Sequence, residues 1–161
     1  MRSTAENTAM SLILCVLSMT LITISFFILP LYTTKLFEGA YGYAPSNWEF
    51  FLTTVSNLNQ IGWNSTSLFS FSLPILPIFM AILCTIVLIL RLLTQTHYWT
   101  RVFMILYIIG NAPIIGTLLI AFVGIIEPRW GFWGQCGGYV LLGLSGWIAN
   151  KSYDPGLSGY R

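Results

Sequence analysis

Four long apolar runs divide the chain, and each is long enough to cross a lipid bilayer as an α-helix. They cover residues 11–32, 72–93, 102–126 and 131–149. A spanning helix needs about 20 mostly apolar residues. The pattern predicts an all-α integral membrane protein, a single domain over residues 1–161 with four transmembrane helices. Because the first run is long for a signal-peptide core and no Ala-x-Ala site follows it, we expect it to be retained.

The polar segments between the runs differ greatly in length. The first loop, residues 33–71, has about 39 residues, and the second, residues 92–101, has about ten. Only a few residues, 127–130, separate the third run from the fourth. Short connections join antiparallel neighbours in helical bundles. The spacing therefore predicts that the third and fourth spans form an antiparallel hairpin.

The long first loop contains a helical pattern of its own. Its apolar positions follow helical spacing: Trp48, Phe51, Leu52, Val55 and Leu58. Ser46 and Glu49 have the spacing of a capping box, in which each side chain bonds the other residue's backbone N–H. We predict a short helix over residues 46–59 that lies flat in the membrane interface. The alternative is that this helix packs on an extracytoplasmic domain of another protein.

The amino-acid composition indicates that this fold is surrounded by lipid and not by water alone. Hydrophobic residues make up 56% of the 161 residues and charged residues only 7%, whereas about a quarter of the residues in soluble domains are charged. A chain of this size cannot hide so much apolar surface from water. The net charge of +2 is small and the basic residues do not cluster, which argues against a nucleic-acid partner.

The basic residues are distributed unequally between the two sides of the predicted membrane. With four spans, one side holds Arg2, Arg91, Arg101, Lys151 and Arg161, and the other holds Lys35 and Arg129. Loops rich in Lys and Arg stay on the cytoplasmic side. We therefore expect a multi-pass protein with both termini cytoplasmic, in a bacterial-type plasma membrane. The Asn64 sequon would matter only in a secretory pathway.

Small and polar residues mark two candidate packing sites. On span four, Gly131, Gly134, Gly138 and Ser145 fall in one narrow sector of the helix, and small residues on one face allow close approach of a neighbouring helix. On span three, Asn111 and Gly116 flank a proline. We predict that these six residues form helix-packing or partner interfaces. For Asn111 the expectation is an interhelical hydrogen bond, and the alternative is a broken helix that lines a substrate pathway.

Tryptophan is concentrated at the ends of the predicted spans. Its ring is apolar and its N–H needs a polar partner, so it is enriched at membrane–water boundaries. We predict the following membrane-interface anchors: Trp48, Trp63, Trp99, Trp130 and Trp133.

The residue types that carry chemistry are sparse and dispersed. The three cysteines, Cys15, Cys84 and Cys136, form no CxxC pair, which argues against a zinc or thiol-redox site. Every acidic residue lies in a tail or loop, and no nucleophile–base set is spaced for catalysis. His97 is the single histidine and the one candidate ligand for a haem or chlorophyll, although its place in a loop favours an interface role. We expect no enzymatic activity, metal or cofactor.

The sequence favours a non-catalytic accessory subunit of a larger integral-membrane complex. Such subunits are common in energy-transducing assemblies, respiratory or photosynthetic, that carry out electron transport. The expected partners are other integral-membrane subunits and lipid. Two alternatives stay open: a small homo-oligomeric channel or transporter built around span three, and a membrane assembly factor that acts through the long loop.

Overall fold

The chain folds into a nearly all-helical bundle. The computed structural model describes residues 4–30, 32–34, 46, 48–49, 51–53, 55–56, 65–123 and 126–151. The long helices are α1 (Thr4–Phe27), α2 (Ser65–Thr94), α3 (His97–Phe122) and α4 (Trp130–Lys151). Two short strands, β1 (Tyr32–Thr34) and β2 (Ile126–Pro128), follow α1 and α3.

The helices begin earlier than hydropathy predicts. Helix α1 starts at Thr4 rather than residue 11, and α2 starts at Ser65 rather than residue 72. Polar residues continue a helix as readily as apolar ones, so a helix can extend beyond its apolar run. Helix α1 ends at Phe27, five residues before the predicted limit, because Pro30 disfavours helical backbone at the residue before it.

The all-α prediction is wrong in one detail, because β1 and β2 form a small antiparallel sheet. Tyr32 pairs with Pro128, Thr33 with Glu127 and Thr34 with Ile126. Strands of three residues are too short to show an alternating pattern. The sheet joins the segment after α1 to the segment before α4 and so brings the two helices together at one end. We call this end the strand end, and the opposite end, with the turn between Thr94 and His97, the turn end.

Helix pairing differs from the prediction based on loop length. The most extensive packing in the described bundle joins α1 to α4, and the next joins α2 to α3 across their short turn. Helices α3 and α4 run antiparallel, but their contact is much less extensive. The expected hairpin of spans three and four is therefore a minor contact, and three glycines of α4, Gly131, Gly134 and Gly138, lie against α1 and the segment that follows it.

The buried core sits where the two pairs meet. Phe103 on α3 and Tyr139 and Leu142 on α4 are buried together with Ala81, Cys84 and Leu88 on α2. Tyr139 is the largest fully buried side chain, and its hydroxyl donates a hydrogen bond to the carbonyl of Pro77 on α2. This bond links the α1–α4 pair to the α2–α3 pair.

Three helices of the described bundle, α1, α2 and α3, are long and apolar enough to span a membrane. The predicted fourth span corresponds to α4, which has the expected length of 22 residues but a lower hydropathy. Its sequence includes six glycines, a glutamine and an asparagine.

The long first loop is described only in part. Residues 48–49, 51–53 and 55–56 are helical. The predicted capping box is formed: the Ser46 N–H donates to the Glu49 carboxylate at 2.9 Å, and the Glu49 N–H donates to the Ser46 hydroxyl at 3.2 Å. Trp48 packs its ring against Phe27 with centroids 5.5 Å apart. The loop is thus attached to the strand end of α1. The predicted positions Leu58 and Trp63 lie outside the described residues.

Candidate functional site

The most extensive helix contact among the described residues combines two stripes of small residues. One stripe lies on α1 (Ser11, Ser18, Ser25) and the other on α4 (Gly131, Gly134, Gly138, Ser145), and we call their contact the seam. All of these residues except the half-buried Gly134 are buried. Four of the six residues predicted as packing sites therefore lie together, against α1.

At the turn end, two serines interlock. The Ser11 hydroxyl donates to the Ser145 carbonyl at 2.9 Å, and the Ser145 hydroxyl donates to the Ser11 carbonyl at 2.7 Å. Because the two residues are 134 positions apart in sequence, these bonds fix the register of α1 against α4. Hydrogen bonds between helices of this kind contribute about 0.6 kcal/mol on average in membrane proteins.

At the middle of the seam, a glycine allows direct backbone contact. The Ser18 hydroxyl donates to the Gly138 carbonyl at 2.7 Å. A Cβ atom at Gly138 would overlap the side chain of Ile22 and lie 3.2 Å from the Ser18 carbonyl oxygen. Glycine is required here because the space for any larger residue is already filled by α1.

At the strand end, the contact is equally close. A Cβ atom at Gly134 would overlap the Ser25 hydroxyl, and one at Gly131 would lie 2.6 Å from the Pro30 carbonyl oxygen. The Gly131 N–H donates to that same carbonyl at 2.8 Å. This bond pairs a free N–H in the first turn of α4 with the carbonyl of Pro30, just beyond the end of α1.

The seam has the spacing of an antiparallel coiled coil, and this spacing is visible in the sequence itself. Buried residues alternate at intervals of four and three on both helices: Ser11, Cys15, Ser18, Ile22 and Ser25 on α1, and Gly131, Gln135, Gly138, Leu142, Ser145 and Ala149 on α4. The serines recur every seven residues, and this repeat identifies the partner face of α1.

Two buried polar atoms in the seam region have no hydrogen-bond partner within the described part of the chain. They are the Ser25 hydroxyl and the Gln135 amide nitrogen. Gln135 is only 2% exposed. Sequence reasoning considered Asn111 and overlooked Gln135, although both are amides inside apolar runs. Burying an amide without a partner costs about 1–3 kcal/mol in proteins.

The two predicted residues of span three lie away from the seam. The Asn111 side chain donates to the carbonyl of Tyr107 in its own helix at 2.8 Å, whereas an interhelical bond was expected. Gly116 has open space around it, since a Cβ atom there would meet no other heavy atom within 4 Å. Helix α3 stays helical through Pro113.

A second set of close contacts joins α3 to α4. Side chains from α3 fill the space above two glycines of α4: Tyr107 lies against Gly143 and Phe103 against Gly146. The Tyr107 hydroxyl also donates to the Tyr139 carbonyl at 3.1 Å. In this contact large rings cover glycines, whereas in the seam the small residues of both helices meet.

The predicted anchors and the candidate ligand lie at the ends of the helices. Trp130 and Trp133 are exposed at the strand end, by 76% and 52%. Trp99 is partly buried at the turn end. His97 is exposed at the first residue of α3, so no pocket surrounds it in the described structure.

The described residues contain no cluster of three His, Cys, Asp or Glu side chains that could hold a metal ion. An apolar groove of about 510 Å³ lies between α1 and α2. The hydroxyls of Thr20 and Thr85 in this groove donate to carbonyls of their own helices. The groove therefore presents an almost wholly apolar wall.

The chain matches no protein-family model, and no curated protein or solved structure is similar to it.

Proposed function

We propose that this protein is a non-catalytic accessory subunit of a larger integral-membrane complex. The observation that carries the proposal is the uncovered face of α3. Within the most apolar stretch of this helix only 22% of the residues are buried. Helices of a complete bundle bury one face against their neighbours, and α3 has a wide apolar surface left for contact with another protein.

The centre of that face is suited to close helix contact. Ala112 is exposed, and Gly116 follows one turn later with open space above it. Small residues four positions apart allow two helices to approach closely in a membrane. The other described glycines of α3 and α4 each face a side chain or carbonyl of this same chain. Gly116 differs from them because no heavy atom of the described chain lies within 4 Å of the position of its Cβ. A partner helix that packed on Gly116 would make it a contact glycine like the others.

The polar groups of the bundle are used for internal structure. Ser11 and Ser145 bond each other, and Tyr139 bonds α2. A pump or transporter is expected to present ionisable groups along a pathway inside its spans. This use of the polar groups favours a structural role. We propose that the parent complex belongs to the energy-transducing class.

We also propose that α4 is a fourth transmembrane helix. Its 22 residues correspond to about 33 Å at 1.5 Å per residue, which matches the hydrocarbon core of about 30 Å. Its small residues face α1 or α3 of the same chain, while Val140 and Leu144 are exposed. The average hydropathy of α4 underestimates its tendency to span a membrane. The average includes small and polar residues that are buried against other helices and do not contact lipid.

The loop helix and the orientation complete this proposal. Leu52 and Val55 are exposed on the helical residues that Trp48 attaches to α1, as expected for a segment in the membrane interface. The excess of basic residues at the turn end supports a cytoplasmic location for that end.

Purification in a mild detergent tests the proposed function. A set of unrelated membrane subunits should co-migrate with the wild-type protein, and Gly116→Leu should remove them while the chain itself stays folded. Val140→Leu, which enlarges an exposed residue of α4, is the matched control and should retain the partners. A pure homo-oligomer in place of unrelated subunits would contradict the proposal and favour the channel alternative.

A further inference from the structure

The apolar groove runs along one side of α1, where this helix meets α2. Its α1 side extends from Leu12 to Ile24, and its α2 side includes Thr85 and Ile89. At the floor, the Sγ of the buried Cys15 lies 3.5 Å from the Thr85 hydroxyl oxygen. The contact between α1 and α2 is much less extensive than those of α1 with α4 and of α2 with α3. The groove is therefore a recess between the two closely packed helix pairs.

The groove follows two helices that are long and apolar enough to span a membrane. From Leu12 to Ile24 it extends about 18 Å at 1.5 Å per residue, a little more than half of a hydrocarbon core of about 30 Å. Its Ile24 end lies within about one helical turn of Phe27, where α1 ends at the strand end. Its Leu12 end lies about 9 Å along α1 from the exposed Glu6. The groove therefore begins close to the strand end and ends just beyond the middle of the span.

The chemistry of the wall favours an apolar occupant. The Thr20 hydroxyl donates to the Val16 carbonyl at 2.9 Å, and the Thr85 hydroxyl donates to the Ala81 carbonyl at 2.9 Å. Both bonds stay within one helix, so these hydroxyls satisfy carbonyls of the chain itself. Apolar cavities of proteins stay dry and accept hydrocarbon ligands. The groove therefore suits hydrocarbon better than water or a polar ligand.

The shape of the groove favours a flexible chain over a helix. Its rims are formed by branched aliphatic side chains, all of them exposed: Leu12, Val16, Ile24 and Ile89. Helices approach each other closely in a membrane where small residues meet, and these branched side chains would hold the backbone of another helix away from the floor. An acyl chain is narrow and can follow the recess between the rims.

We propose that the groove binds one acyl chain of a phospholipid that enters from the strand end. The end of the chain lies near Cys15 and Thr85, where both helices line the groove. There it contacts α1 and α2 together, whereas a chain on the outer face of α1 contacts one helix. About ten additional carbon contacts favour the groove by about tenfold. The inference depends on the membrane location of the bundle and is independent of the accessory role, because the face proposed for partner subunits is on α3.

Photolabelling of the purified full-length protein in phosphatidylcholine nanodiscs tests this proposal. A trace of the lipid carries a diazirine at the last carbon of one acyl chain, and peptide mass spectrometry locates the adducts. Val16 lines the groove, and its neighbour Leu17 is exposed at the same depth outside it. We expect about tenfold more labelling at Val16 than at Leu17. Leu12 should likewise exceed Ile13, which is also exposed outside the groove. Equal labelling within both pairs would overturn the proposal.

Thr20→Phe should abolish the preference for Val16. Side chains of a helix lean toward its N-terminus, so the new ring would lie over Val16 and fill the recess. Ile13→Phe is the matched control, because it adds the same ring outside the groove and should leave the ratio of Val16 to Leu17 unchanged. A retained preference in Thr20→Phe, or an equal loss in Ile13→Phe, would overturn the proposal.

Two further results keep the test decisive. If Thr20→Phe does not fold, the two wild-type ratios decide alone. Gly116→Leu, which should remove partner subunits, should leave both ratios unchanged, so a failure of the accessory role is distinguishable from a failure of the lipid site.

Discussion

The two helix pairs of this bundle are held together by different means. Helices α2 and α3 are joined by two residues, Gln95 and Thr96, so the chain itself keeps them adjacent. Helices α1 and α4 are brought together by side chains, with Ser11 and Ser145 separated by 134 positions. Lipid supplies no hydrophobic driving force between helices. The distant pair therefore depends on close packing and hydrogen bonds, whereas the adjacent pair tolerates larger side chains in its contact.

The largest expected effect comes from filling the seam. Gly138→Leu places a side chain where Ile22 and the Ser18 carbonyl already lie, and overpacking of this kind costs about 1–3 kcal/mol. We expect α1 and α4 to separate and the free energy of unfolding to fall by that amount. Circular dichroism during SDS titration in mixed micelles measures it.

Gly116→Leu is the matched control for Gly138→Leu. Because the space around Gly116 is open, the isolated Gly116→Leu protein should keep the free energy of unfolding of the wild type. Cys136→Ala should also be almost silent, since we assign the thiol no ligand or redox role. A silent Gly138→Leu beside a damaging Cys136→Ala would mean that this part of α4 is a chemical site.

Removal of the serine pair should give the next effect. Ser145→Ala deletes the hydroxyl that donates to the Ser11 carbonyl, and we expect a loss of about 1 kcal/mol in the same assay. Thr20→Val removes an exposed hydroxyl that bonds only its own helix and should cost less. An equal effect of the two substitutions would argue that the seam bond has no special importance.

The α2–α3 turn should respond in the opposite direction. Gln95 has a φ of 54°, a left-handed conformation that disfavours side chains with a Cβ atom. Gln95→Gly should therefore raise the free energy of unfolding by up to about 1 kcal/mol. Thermal unfolding measures this, with Thr96→Gly as the control, which should lower stability because Thr96 has extended backbone. A destabilised Gln95→Gly protein would show that the turn depends on the glutamine side chain.

Gln135 gives the smallest predicted effect. Its amide nitrogen is buried without a hydrogen-bond partner among the described residues, so Gln135→Leu removes a polar group that makes no hydrogen bond with them through this atom. We expect a stability change between zero and a gain of about 1 kcal/mol, measured by SDS titration. A loss of more than that amount would show that the amide makes a contact with lipid or a partner.

Local patterns in the sequence predicted where the helices lie better than they predicted which helices pack together. The apolar runs predicted all four helices, and the small residues at Gly134 and Gly138 predicted a close contact. The helix that fills this contact could not be read from α4, since one face does not specify which neighbour covers it. The repeat of Ser11, Ser18 and Ser25 could have identified α1, because its seven-residue period matches that of α4.

Other features depend on tertiary structure. Asn111 was expected to bond another helix, yet a carbonyl of its own helix is closer to its side chain. The β1–β2 sheet pairs two three-residue segments that are far apart in the sequence. The openness of Gly116 and the burial of Gln135 are likewise properties of the packed bundle, and no local pattern distinguishes them.

Cysteine crosslinking tests the pairing of α1 with α4 most directly. The Ser25 Cβ lies 3.2 Å from the position of a Cβ at Gly134, close to the separation of about 3.8 Å in disulfides. In native membranes, with the three natural cysteines replaced by alanine, Ser25→Cys/Gly134→Cys should crosslink almost completely under mild oxidation, and Ser25→Cys/Gly116→Cys should not. No crosslink in the first pair, or an equal yield in both, would contradict the seam.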